Sequence, residues 1–166
     1  EQANRVANIA QAIYSTLSPE PDPEKVRYLR WAALLHECGM IISSSRYHRH
    51  GHYIVSNADM PGFSRLEQDR LAALVLAQRG TLKKVEDKLD TLISTETVLA
   101  LRLAVIFAHA RKDVALPVMD AKRTAEGIEM RMEEVWLNAH PLTDYLLREE
   151  TEFWSKIGRH LSIQKF

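Results

Sequence analysis

The sequence predicts a mostly α-helical bundle followed by a small α+β unit of hairpin, helix and terminal strand. Two observations carry this. Through residues 1–112 apolar side chains return at the three-to-four-residue interval of amphipathic helices. Beyond Lys112 the period shortens to two, where Ile128, Met130 and Met132 alternate with Glu129, Arg131 and Glu133 as on a half-buried strand. The change of period divides the chain into a helical domain over 1–112 and a small α+β domain over 113–166.

Val6, Ile9, Ala10, Ile13 and Leu17 form the apolar stripe of a first helix that ends near Ser18-Pro19. Asp22-Pro23 supplies a cap and a first-turn proline for a second helix through Trp31 and Leu35, stopped by Gly39, with His36 and Glu37 in its last turn. Ser43 to Arg46 reads as a loop, His48 to Asn57 as a short third helix, and Asp59-Met60-Pro61-Gly62 as a turn. Ser64 and Glu67 have the spacing of a capping box and open a fourth helix that runs to Gly80. Residues 81–89 allow another short helix. From Glu96 to about Lys112 the chain is apolar nearly all round, which suits the centre of a bundle. In the tail, strands are predicted over Leu116–Arg123 and Ile128–Met132, turned at Glu126-Gly127. A helix follows with Leu142, Tyr145, Leu146, Glu149, Phe153 and Trp154 on one face, then a last strand at Leu161–Ile163.

Composition sets the classes that remain. Lys plus Arg balances Asp plus Glu at 22 each, so no overall field draws the chain to nucleic acid or anionic lipid, and a polyanion site has to be a local patch. The single Cys38 rules out an internal disulfide and suits a reducing compartment. No apolar run reaches the length of a membrane span and no signal peptide opens the chain. The cytoplasm is the expected location, with a peripheral position at the inner membrane left open. The chain opens on Glu1 with the helical pattern already running, as expected of a segment cut from a longer protein.

Two groups of residues could carry chemistry. His36 and Glu37 lie side by side at a helix end, although Met40 stands where the zinc protease motif requires its second histidine. The plain reading of His36 is a buried ring bonded to a backbone carbonyl, its cationic form favoured by the helix dipole. Arg46, His48, Arg49, His50 and His52 crowd a loop-to-helix junction, where free backbone N–H groups add to side-chain charge and make a candidate phosphate cradle. The competing readings are a solvated polar face, or histidines buried against His36. Arg79, Lys83, Lys84, Arg111 and Lys112 are further cations, of which Lys83 and Lys84 are interleaved with Glu86, Asp87 and Asp90 and read as a mixed-charge solvent face. Cys38 reads as a small core residue.

Trp31 to Gly39, Tyr47 to Ile54 and Asn57 to Phe63, in this order before an apolar helix and a terminal hairpin-helix-strand, resemble the C-terminal region of the exopolyphosphatase and guanosine pentaphosphate phosphatase family, most of all a bacterial exopolyphosphatase. The resemblance spans essentially the whole chain. It implies a His-Asp (HD)-like helical domain followed by the small unit, acting as an accessory part of an enzyme that removes terminal phosphates from inorganic polyphosphate. Catalysis, with a divalent metal such as Mg, is then expected of N-terminal actin-like domains of the same chain, and no cofactor of this segment. The implied contributions here are polyphosphate binding at Arg46, His48, Arg49, His50 and His52, and pairing of two subunits; no nucleic-acid partner is implied. A working His-Asp centre also needs an early histidine and a late aspartate, where Gln2 and Val105 stand, so His36 and Glu37 are expected as remnants of a metal site. The alternatives are a metal-dependent phosphohydrolase acting on a nucleotide or alarmone through His36 and Glu37, and an interaction domain without a ligand.

Overall fold

The computed structural model describes residues 1–166. Helices α1 (Gln2–Leu17), α2 (Pro23–Leu35), α3 (Tyr47–Asn57), α4 (Arg65–Ala77) and α5 (Thr95–Phe107) form the bundle. They are followed by β1 (Met119–Arg123), β2 (Gly127–Met132), α6 (Glu134–Ala139), α7 (Pro141–Ser155) and β3 (His160–Lys165). The mostly helical architecture with a small appended α+β unit is therefore the one the sequence predicts.

The helix starts are set by short polar side chains that take up otherwise unpaired backbone N–H groups. Asp22 accepts from the amide of Glu24 at the start of α2, Ser64 and Glu67 form a reciprocal capping box on α4, and Ser94 accepts from the amide of Thr97 on α5. α5 is buried all round from Thr97 to Ala104 and packs against α1, α2 and α4. It stops at Phe107, short of Lys112, because the apolar track gives out there and a turn carries Arg111 in the left-handed conformation. The segment 81–89 forms a 3₁₀ turn over Lys83–Lys88, anchored by buried Val85. A second 3₁₀ turn, Cys38–Ile41, joins α2 to the loop before α3.

That second turn is pressed onto α3. A Cβ at Gly39 would collide with the carbonyl of Tyr47 and the amide of Gly51. One at Gly51 would come within 2.9 Å of Val75. This pair of bare Cα positions brings the backbone after His36 and Glu37 against the helix that carries the histidine-rich segment.

In the tail, β1 and β2 pair antiparallel and β2 and β3 pair parallel, in the order β1-β2-β3, with α6 and α7 making the crossover. Met130 and Met132 are fully buried. They belong to one apolar cluster that also holds Val6, Ile13, Leu99 and Leu161, so the core runs without a break from bundle into sheet. Two expectations for the tail need correction. α6 was not anticipated from the pattern, and the buried stripe of α7 is Thr143, Leu147, Glu150 and Trp154, while Leu142 and Tyr145 face solvent. Both stripes fit a 3.6-residue period; what selects the observed one is a charge partner on α5. No helix is long and apolar enough to cross a membrane.

Candidate functional site

A cleft of about 410 Å³ opens where α1, α2, α5 and α7 meet, and Gln2, His36, Glu37 and Val105 all line it. The four positions that the resemblance assigned to one metal centre are thus brought to one place. Their chemistry does not fit a cation. Gln2 is committed at both ends, donating to the Ala108 carbonyl at 2.9 Å and accepting from Arg5 at 2.6 Å. Val105 has no donor atom. Glu37 accepts from the Arg111 guanidinium at 2.5 and 3.3 Å. No three His, Cys, Asp or Glu side chains converge as metal ligands would.

His36 is 1% exposed. Its Nδ1 donates to the Ala33 carbonyl at 2.6 Å, and Nε2 lies 3.7 Å from Glu37. The buried ring bonded to a backbone carbonyl is as expected, but its cationic form is not favoured. Burial lowers its pKa against the opposing pull of the Ala33 carbonyl and the Glu37 carboxylate, because desolvating an imidazolium costs more than they return. Cys38 is half-buried, and burial raises its thiol pKa, as suits an inert packing residue.

The cleft is also lined by a buried ion pair that the sequence reading passed over, Arg102 with Glu150. Arg102, 2% exposed in the middle of α5, donates from Nε and a terminal nitrogen to Glu150 at 2.5 and 3.1 Å. Its other bonds go to the Ala77 and Gly80 carbonyls at the end of α4, at 2.7 and 2.8 Å. Trp154 donates its indole N–H to Glu150 at 2.8 Å. An arginine can be buried at this depth only with nearly all its donors filled, and here α4 and α7 fill them. The available signal was a single arginine inside an otherwise apolar helix.

The five residues of the basic segment part company on α3. Arg46, Arg49 and His50 line a shallow cleft with Ser43 and Ser45, and no apolar or acidic residue shares it. Arg46 sits at the N-cap of α3 in the left-handed conformation, and no side chain caps the first-turn amides there. His48 turns inward. It is buried, its Nδ1 has no partner, and burial, assisted by the charges of Lys84, Arg79 and Arg49, lowers its pKa to about 4. His52 is half-buried and lies 3.5 Å from Ser56; burial and then the Lys88 charge lower its pKa.

Lys84 turns away from the mixed-charge face expected of it, and its amine is held by backbone carbonyls. Arg79 lies over the Tyr47 ring at 4.8 Å, while Lys84 donates to the carbonyls of Arg79 and Thr81, both at 2.6 Å. With Arg49 they make no salt bridge to any carboxylate. Sequence proximity to Glu86 and Asp87 misled because the 3₁₀ turn leaves both acidic side chains exposed and without such a bond to Lys84.

A helical domain with an appended three-stranded sheet, a cleft without metal ligands and a nearby cationic surface is the class of protein these features define. The model of the Ppx/GppA phosphatase, domain III, matches residues 1–151, and the chain belongs to that family. Among curated proteins it is 34% identical, over 99% of its length, to a guanosine-5'-triphosphate,3'-diphosphate pyrophosphatase of Pseudoalteromonas atlantica. It is 32% identical, over 98% of its length, to the protein of that name from Pseudoalteromonas translucida. The chain spans about a third of the length of these relatives, 34% of each.

Proposed function

We propose that this chain is the C-terminal accessory part of an enzyme that hydrolyses terminal phosphates of inorganic polyphosphate, and that it binds the polyphosphate chain and pairs subunits without performing the hydrolysis. The family, a phosphatase family, supplies the parent chemistry. The single observation that carries the binding role is the cleft at the start of α3, where Ser43, Ser45, Arg46, Arg49 and His50 meet beside uncapped helix amides with no carboxylate among them. Such a surface suits a linear polyanion, because cations and helix N–H groups act on the same oxygen atoms. Of the remaining histidines in that segment, His48 and His52 support the helix from within rather than line the cleft. Ile41 and Ile42, exposed on the adjoining 3₁₀ turn, suit a contact with another subunit or another part of the parent chain.

The names of the two relatives make guanosine 5'-triphosphate 3'-diphosphate the second substrate to try on the parent enzyme. Metal-dependent hydrolysis by this segment itself is disfavoured by Gln2, Val105 and the Arg111–Glu37 pair in the cleft.

Equilibrium binding of long-chain polyphosphate to the chain and to an Arg46→Ala/Arg49→Ala variant tests the binding role. Loss of about tenfold or more in affinity, with a shallower dependence on salt, is the expected result. An unchanged affinity and salt slope in the double variant would remove the reading.

A further inference from the structure

The cleft at the start of α3 has two walls, and one residue outside it touches both. Gly39 is buried in the 3₁₀ turn Cys38–Ile41. Its carbonyl accepts from the amide of Ile42 at 3.0 Å and from that of Ser43 at 3.2 Å. The Ser43 hydroxyl in turn accepts from the amide of Ser45 at 3.2 Å, and these two serines form one wall of the cleft. The Cα of Gly39 lies against the other wall, where the carbonyl of Tyr47 and the amide of Gly51 leave no room for a Cβ. Tyr47 opens α3 directly after Arg46, so its backbone sets where Arg46, Arg49 and His50 stand. On the far side the turn is fastened through Glu37. Its carbonyl accepts from the Met40 amide at 2.9 Å, and its carboxylate is held by Arg111 at 2.5 and 3.3 Å.

We propose that Gly39 is a positioning residue of the polyphosphate cleft, and that the Arg111–Glu37 pair fastens the turn that carries it. The inference rests on the polyphosphate reading and adds what sets the spacing between the serine wall and the arginine wall. Neither Gly39 nor Glu37 lines the cleft, so each acts through the backbone. A methyl group at Gly39 would meet backbone on α3, which no change of rotamer relieves, and close-packed interiors pass such a displacement on. The start of α3 would move away from the loop at Ser43. Hydrogen bonds weaken steeply once stretched past about 3.5 Å, so a linear anion engaged by one wall would lose contacts to the other. Releasing Glu37 acts in the same direction and less strongly, because the turn keeps its own hydrogen bonds and loses only its outer anchor.

Binding of long-chain polyphosphate to the 166-residue chain is measured against salt, because the slope of log affinity on log salt counts the phosphates neutralised. Gly39→Ala should lose about tenfold or more in affinity and show a shallower slope. Partial unfolding alone would lower the number of sites per chain and leave the slope of the folded molecules unchanged. Leu147→Ala, a cavity in the buried face of α7, is the destabilised control and should keep the wild-type slope. A second pair of variants decides the matter if Gly39→Ala does not fold. Arg111→Ala removes a cation and Glu37→Gln an anion, so a purely electrostatic influence on a polyanion would weaken binding in the first and strengthen it in the second. Fastening predicts weaker binding in both, by about two- to fivefold, with most of the loss restored in the exchanged pair Arg111→Glu/Glu37→Arg. A wild-type slope in folded Gly39→Ala, or wild-type or tighter binding in Glu37→Gln, overturns the positioning role alone. Absence of binding by the unaltered chain overturns the polyphosphate reading and the positioning role with it.

Discussion

The cleft between α1, α2, α5 and α7 and the surface of α3 lie on either side of one short turn, yet they treat charge in opposite ways. In the cleft two arginines are answered by carboxylates: Arg102 by Glu150, Arg111 by Glu37. At the start of α3, Arg46 and Arg49 line their shallow cleft with no acidic residue among its walls. A charge satisfied inside the protein has little left for a ligand, and holding several like charges unsatisfied costs stability. The cleft at His36 and Glu37 is thus structural in its charges, and the proposed polyphosphate contact lies where cations are left uncompensated.

The largest effect is expected inside the cleft. Glu150→Ala leaves Arg102 buried without its counter-ion and should destabilise the fold by about 3–5 kcal/mol in denaturant unfolding. Replacing both partners by apolar residues, Arg102→Met with Glu150→Leu, should recover most of that loss. If the single variant unfolds like wild type, the contrast between a structural cleft and a ligand-seeking surface is lost.

The second test is pH. His48 has its folded pKa near 4, below the ordinary 6.5, so between these values the unfolded chain binds the extra proton and stability falls as pH drops from about 6.5 towards about 4. Thermal unfolding across this window should show the decline, and His48→Leu should make it shallower, leaving the shares of His36 and His52. A decline of unchanged steepness in that variant would place its origin elsewhere.

A smaller effect is expected at the mouth of the cleft. Arg111 is largely exposed, so Arg111→Ala should move the denaturant midpoint much less than Glu150→Ala does. The smallest is expected on the outer surface, where Arg46→Ala/Arg49→Ala should leave stability within about 0.5 kcal/mol of wild type despite its effect on binding. A marked destabilisation there would make those arginines structural and narrow the difference between the two regions.

Much of the fold was legible because its signals are local. Caps at Asp22, Ser64 and Ser94, the all-apolar run of α5 and the alternation around Met130 each act within a few residues. The α7 face was misread because its choice depends on Arg102, 48 positions away, and no period can express that. The candidate site was legible to the same extent. His36, Glu37, Gln2 and Val105 came from the resemblance and do meet in one cleft. That Arg111 seals Glu37, or that Lys84 turns from Glu86 towards Arg79, depends on where two turns place their backbones. Composition around the turns gave the opposite impression.

The most direct test of the central claim is the salt dependence of long-chain polyphosphate binding to the unaltered chain, measured alongside its metal content. The account predicts binding that weakens steeply with rising salt, in a protein carrying no stoichiometric divalent metal. Stoichiometric metal without affinity for polyphosphate would contradict it and return the chemistry to the cleft at His36 and Glu37.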